Sequence, residues 1–411
     1  MKKLKSMMLY SVMAVFALTS CDKDDDDNNN NTSTNVVKAG LIKSDETWSA
    51  DKIYELNGRV IVDAGVTLKI EPGTIIKARG GREANASALV IARGATIMAE
   101  GTADKPIIFT SVLDEIAIGE TVSPNLDESF YGLWGGVIVL GKAKISANAS
   151  EKQIEGIPGN VTQGLYGGEN DADNSGKINY VSIRYGGTLL GEGNEINGLT
   201  LGGVGSGTTI TNVEIINNLD DGIEFFGGSV NVSNALVWNV GDDLFDIDQS
   251  YSGTISNFMG ISGSESDHSM EVDGPEGSYE AGFTMEDGTL IGYILRDEDK
   301  NDIGGGEMGD FRDGARGTLN NLYFEGFSSS ADIELDDNVS SANFLSGALA
   351  FNGWVINSTK SIDKLLLDKS SVGGAFAILT EANAKVSTNQ GAAGADASAF
   401  AWTYAKTSGA F

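Results

Sequence analysis

Between residues 200 and 275, apolar and polar positions alternate in short runs that recur at nearly constant spacing. Three of these runs read Asp220-Asp221-Gly222-Ile223-Glu224-Phe225, Asp242-Asp243-Leu244-Phe245-Asp246-Ile247 and Asp267-His268-Ser269-Met270-Glu271-Val272. Glu224, Asp246 and Glu271 fall at the same point of each, 22 and 25 residues apart. Two apolar residues flank each carboxylate, the period of a strand with one buried face. Ile223 and Phe225, Phe245 and Ile247, and Met270 and Val272 are predicted to point inward. The carboxylates are predicted to point outward into solvent. A strand-bearing repeat of this length marks a solenoid, in which each coil stacks on the last. Equivalent positions then lie about 4.8 Å apart, so the three carboxylates become one column. His268, the only histidine of the chain, falls beside it.

A second periodic signal precedes each acidic run. Asn212, Asn234 and Asn257 sit in short strand-like segments spaced by 22 and 23 residues, and Leu319-Asn320-Asn321 offers a fourth copy. Stacked Asn amides can bond to one another and satisfy buried polar groups. Glycines at 202, 203, 205, 207, 227, 228, 241 and 253 separate the runs, where tight corners need unusual backbone angles. Earlier apolar runs such as Val60-Ile61-Val62, Leu89-Val90-Ile91 and Val137-Ile138-Val139-Leu140 fit the same plan less strictly. Few windows have helical periodicity. A propeller or sandwich would show longer or less uniform repeats.

On coil period, Asn ladder and glycine corners, the chain resembles the right-handed parallel β-helix superfamily typified by pectate lyases and polygalacturonases. The resemblance implies an all-β fold, a right-handed parallel β-helix over residues 39–345. Residues 346–411 are rich in Ala and Ser and are expected to form a partly helical C-terminal cap, since open solenoid ends need covering.

Polygalacturonase-like enzymes carry carboxylates and a histidine on consecutive coils. The resemblance implies Asp220, from Asn218-Leu219-Asp220, with Asp242, Asp243 and His268 as candidate catalytic residues. Such carboxylates supply general acid and base. The departures are specific. Asp267 and Ser269 replace the glycines that flank the family's histidine, and Arg296 and Arg312 stand only loosely for its basic motif. The competing reading makes Asp-Asp a corner device that bonds backbone N–H groups, leaving Asp221, Glu224, Asp246 and Glu271 as a binding column. Trp134, Tyr166, Tyr185 and Trp238 are candidate sugar platforms but are expected to pack in core or corners.

The chain carries 28 Lys and Arg against 58 Asp and Glu, a net charge of −30. Nonspecific nucleic-acid binding, which needs a basic surface, is excluded. Polyanionic ligands would need bridging cations, and calcium prefers oxygen donors. Asp171-Ala172-Asp173-Asn174-Ser175-Gly176 matches the first half of a calcium loop, making Asp171, Asp173 and Ser175 candidate ligands. Its twelfth position is Ser182 rather than Glu. A single His and a single Cys cannot build a common zinc site.

Residues 1–20 have a basic start, a short apolar core and small residues before Cys21, which reads as a signal peptide. Leu18-Thr19-Ser20-Cys21 resembles the bacterial lipobox, implying lipidation of Cys21. Residues 21–38 begin with an acidic run and four asparagines, expected to be a solvated tether. That run also resembles the export signal of surface lipoproteins of the Bacteroidetes type. The expected protein is therefore lipid-anchored in the outer membrane and exposed on the cell. It would serve as a noncatalytic binding or structural module, capturing glycan or joining a surface protein complex with calcium support. The alternative is a glycoside hydrolase using the stacked carboxylates.

Overall fold

A computed structural model describes residues 35–81, 86–188 and 196–411. The signal peptide, Cys21 and most of the expected tether lie outside the described residues. The chain winds into a right-handed parallel β-helix whose main sheet system joins 26 strands.

The pairings resolve into three faces. The first stacks Thr67–Ile70, Thr96–Glu100 and the opening halves of Gly176–Arg184, Thr209–Ile216, Asn231–Trp238 and Thr254–Ile261. The second stacks Ile75–Ala78, Ile107–Ser111 and the closing halves of those long strands. The third runs through Ala88–Ile91, Val137–Leu140, Leu199–Gly202, Ile223–Phe226, Phe245–Asp248, Met270–Asp273, Gly309–Arg312 and Ile333–Leu335.

The periodic asparagines make the corner between the first two faces. Asn212, Asn234 and Asn257 take φ of 50°, 53° and 48° in the middle of their strands. Asn tolerates this left-handed region better than other side-chain-bearing residues. Each Nδ2 donates to the Oδ1 of the preceding coil, from Asn212 to Asn179 at 2.8 Å, Asn234 to Asn212 at 2.9 Å and Asn257 to Asn234 at 2.7 Å. The fourth copy is Asn321, whose amide donates to Asp287, both with positive φ. Asn217 and Asn239 form a second stacked pair, at 2.8 Å, on the corner leading to the third face. The third corner uses Gly227 and Gly228, where a Cβ on Gly228 would lie 2.6 Å from the Val204 carbonyl.

Inside, the predicted apolar pairs stack as expected. Ile223, Phe225, Phe245, Ile247, Met270 and Val272 are all at most 1% exposed. Trp134, Tyr166 and Tyr185 are likewise buried, while Trp238 is half-buried.

Both ends of the coil differ from expectation. Asn35–Ile42 pairs in parallel with Ile53–Val62, so the coil starts inside the stretch read as tether. At the other end, Leu349–Asn352, Trp354–Ile356, Leu366–Asp368 and Ala384–Val386 continue the ladders past residue 345. The expected partly helical C-terminal part is present: among the described residues both α-helices, Asn338–Ser346 and Tyr404–Ser408, lie there. Residues 387–411 then run back along the outside of the second face. The N–H groups of Gly394, Ala395, Asp396 and Ala405 reach Asn321, Thr289, Asn257 and Glu214 in turn, against the direction of coil growth. Phe400 and Ala405 cover Leu236, Met259 and Ile261. Composition flagged the segment as distinct, but apolar surface on the side of the coil decided where it docks.

This strap also covers Glu214, which is fully buried and accepts from Ala405 N–H at 2.8 Å and Ser182 Oγ at 2.6 Å. Removing residues 387–411 is expected to lower the melting temperature. Uncapping the Glu214 carboxylate contributes roughly 1–3 kcal/mol of the loss, and exposure of three apolar side chains adds to it. A truncated chain melting with the full-length protein would contradict this docking.

Candidate functional site

The outward positions of the third face form one column in register, nine of whose residues lie between Leu41 and Leu367. They run Ile61, Val90, Ile138, Thr200, Glu224, Asp246, Glu271, Asp310, Glu334. The first three of them are apolar and lie under residues 141–170, where Ile145, Ile154, Ile157 and Tyr166 pack against them. From Glu224 to Glu334 the column is acidic. A second column follows the corner before each strand, through Asn197, Asp221, Asp243, His268, Glu307 and Asp332. Backbone hydrogen bonds of 2.9–3.0 Å between successive corners hold it in step.

The expectation that the acids face solvent is overturned. Asp221, Glu224, Asp243 and Asp246 are 7%, 6%, 2% and 9% exposed. They do point out of the coil, but stacked corners and the 141–170 segment close over them. Asn197 Nδ2, at one end, donates to both Glu224 and Glu155. His268 and Glu271 are half-buried.

The corner acids have backbone work. Asp221 Oδ1 accepts from Asp243 N–H at 3.0 Å, and Asp243 Oδ1 accepts from His268 N–H at 2.7 Å. Asp243 Oδ1 also meets His268 Nδ1 at 2.9 Å. Each acid thus ties its own coil to the next.

The four candidate catalytic residues separate into two groups. Asp243 and His268 gather with Glu271, whereas Asp220 and Asp242 gather with Asp221. A third cluster unites Asp221, Glu224 and Asp246. Arg312 crosses the column. Its guanidinium contacts Glu271, its Nε donates to Asp273 at 2.6 Å, and Asp310 lies 4.0 Å away. Arg296 sits elsewhere, in the small hairpin of Leu295–Arg296 with Asp302–Gly304.

In the expected calcium loop, both carboxylates take backbone partners. Asp171 accepts from Lys144 N–H at 3.0 Å and pairs with Lys144 Nζ at 2.8 Å. Asp173 Oδ2 accepts from Lys142 N–H at 3.0 Å. Ser175 is buried, its N–H donating to Thr208. Asp171 and Asp173 clamp the 142–144 backbone, whereas Ser175 Oγ is buried without a hydrogen-bond partner.

Burial and crowding raise the acids. Asp221, Glu224 and Asp246 are held well above the carboxylate range by burial first, then by each other and their acidic neighbours. Burial and Asp273 push Asp248 up to about 7. Burial raises Glu271 to about 9, helped by its hydrogen bond to Asp243 and opposed by Arg312. Burial depresses His268, but the hydrogen bond and charge of Asp243 outweigh it and lift the imidazole to about 9.

Residues 40–407 match the family described as the pectate-lyase like beta helix domain. The chain belongs to this family. No curated protein and no solved structure matches it. Among the described residues of this pectate-lyase-like β-helix domain, no helix is long and apolar enough to cross a membrane.

Sequence reading missed Arg312's place in the site and the continuation of the columns through Glu307, Asp310, Asp332 and Glu334. Asp310 follows Glu271 by 39 residues because a loop and hairpin intervene, which breaks the coil period. The alternation in Asp310-Phe311-Arg312 was the available signal.

Asp248, Glu271 and His268 all titrate higher in the folded chain than in the unfolded one, where they take ordinary values. The folded state therefore holds more protons, and stability falls as pH rises. The contribution of each is fully present below its unfolded pKa and is lost as pH passes its folded value. In buffer free of divalent ions, thermal melts should fall progressively from about pH 5 to pH 9, and Glu271→Gln should flatten that fall. Melting temperatures that are level or rising over this interval would contradict the assignment.

Proposed function

We propose that this domain is a noncatalytic binding module, held at the cell surface by a lipid on Cys21. It takes a glycan or a surface protein on the acidic third face, with calcium as the counter-ion. The observation that carries the reading is the commitment of the corner acids. Asp221 and Asp243 each spend Oδ1 on an N–H group of the following coil. Glycoside hydrolysis instead needs two carboxyl groups standing about 5–9.5 Å apart across a sugar. Asp243, which a hydrolase would need as a free carboxyl group, is 2% exposed and is bonded to both the N–H and the ring of His268.

Room for a ligand exists beside the column. Asp248, Asp273, Glu276, Asp313 and Asp337 line a pocket of about 410 Å³. A wall of carboxylates suits hydrated calcium, whose remaining coordination positions can take sugar hydroxyls. Loops over a rigid coil also commonly carry binding function.

One observation favours the hydrolase as a second reading. Glu271, raised to about 9, keeps its proton near neutrality beside Asp243, as an acid catalyst must.

A glycan array with and without calcium, followed by a turnover assay on whatever binds, separates the two. Asp243→Asn is expected to retain binding, whereas Asp313→Asn in the pocket should weaken it about tenfold, equivalent to ~1.4 kcal/mol. Turnover by the wild type that Asp243→Asn reduces by about 10²–10⁴ would replace the binding module with the enzyme.

Anchoring is tested separately by protease treatment of intact cells. Digestion without breaking the outer membrane is expected. Protection until the membrane is opened would place the protein inside.

A further inference from the structure

The cluster of Asp221, Glu224 and Asp246 is unlike the other acids of the wall. All three are at most 9% exposed, and their ligand oxygens lie within 4.8 Å of one another. Among the described residues, no Lys, Arg or His forms an ion pair with any of them. The contrast with neighbouring acids is plain. Arg312 pairs with Glu271 and Asp273, and Lys369 pairs with Glu334.

A second observation falls on the cluster and on its neighbour Asn197. Asp246 Oδ1 is buried without any hydrogen-bond partner, and so is Asn197 Oδ1 on the residue that donates to Glu224. A buried, unsatisfied carboxylate oxygen costs more than almost any other polar group in a protein wall. Three of these acids in contact compound that cost through mutual repulsion. A cation among them removes both penalties.

We propose that Asp221, Glu224 and Asp246 together hold one calcium ion inside the wall of the coil. The donor set is all oxygen, which selects a hard divalent ion over zinc. Oxygens on opposite sides of one calcium stand about 4.8 Å apart, given its contacts of about 2.4 Å. Separations within 4.8 Å put all three acids within reach of a single ion after small side-chain adjustments. Magnesium requires shorter contacts and near-ideal octahedral order, and retains several waters. This enclosed wall favours calcium.

The ligands come from two successive coils. Glu224 and Asp246 are register partners on the third face, and Asp221 sits on the corner leading into the first of these strands. Asn197 links Glu224 to Glu155 of the 141–170 segment. The ion therefore fastens two coils and the covering segment together. It is enclosed, so it acts on stability and does not bridge a bound glycan. The proposal is independent of the binding reading above, and either can fail alone.

The test uses the full mature chain. After equilibration with calcium and dialysis into metal-free buffer, elemental analysis should find one calcium ion retained per chain. Chelator should lower the melting temperature by roughly 3 °C, the size expected for a ligand near 100 times its Kd. Calcium should restore it, and magnesium should restore less. Asp246→Asn should abolish retention while melting in chelator at or above the wild-type temperature, because it removes one repelling charge. A variant that simply misfolds would melt lower in chelator, and wild-type retention then decides the question. Wild-type protein that retains no calcium and melts identically with calcium or chelator would overturn the site. So would Asp246→Asn protein that still retains one calcium ion.

Discussion

Backbone hydrogen bonding between successive coils is the constraint on which everything else depends. Parallel pairing in register places each side chain directly over its equivalent, about 4.8 Å away. Whatever chemistry one coil presents, the next repeats or must answer. Apolar residues answered in this way become a continuous core, as with Ile223 paired to Phe245 and Phe225 paired to Ile247. Amides become ladders, because Asn is both donor and acceptor and each link satisfies the one below. Asn212, Asn234 and Asn257 combine this with the left-handed backbone that turns the corner.

Carboxylates cannot answer one another in this way. An ionised acid is acceptor only, so a stacked column of acids gains no ladder and accumulates repulsion. The protein resolves this differently along its length. Toward the C-terminal end Arg312 and Lys369 supply positive charge. In the middle His268 pairs with Asp243, and Glu271 shares a proton-bearing hydrogen bond with the same residue. At the corners Asp221 and Asp243 turn toward backbone N–H groups instead. Even so, a buried oxygen of Asp246, Asp310 and Asp332 is left without a protein partner.

The same column changes character along the axis, and the covering segment explains where. Ile61, Val90 and Ile138 demand burial, and residues 141–170 supply it. The segment reaches Glu224 through Asn197 and runs on to Gln249 and Glu276, so Glu224 is enclosed with the apolar members whereas Glu271 and Glu334 are only half-buried. Membership of the pectate-lyase-like β-helix family accounts for the coil, but function lies in what is built upon it.

The sequence by itself determined the period, the inward and outward sides of each strand, and the Asn corner. All three follow from local alternation and repeat spacing, which a coil preserves residue by residue. Asp221, Glu224, Asp246 and Glu271 were legible as a column for the same reason. Their burial was not, because it depends on a segment 50 or more residues upstream folding over them. Nor was the role of Arg312, since the loop and hairpin between Asp273 and Gly309 erase the period that would have aligned it. The path of residues 387–411 was equally hidden. It is set by apolar side chains from several coils that only the wound structure brings together as one surface. Spacing along the chain fixes what stacks, whereas covering depends on contacts between distant segments, and those exist only once the coil has formed.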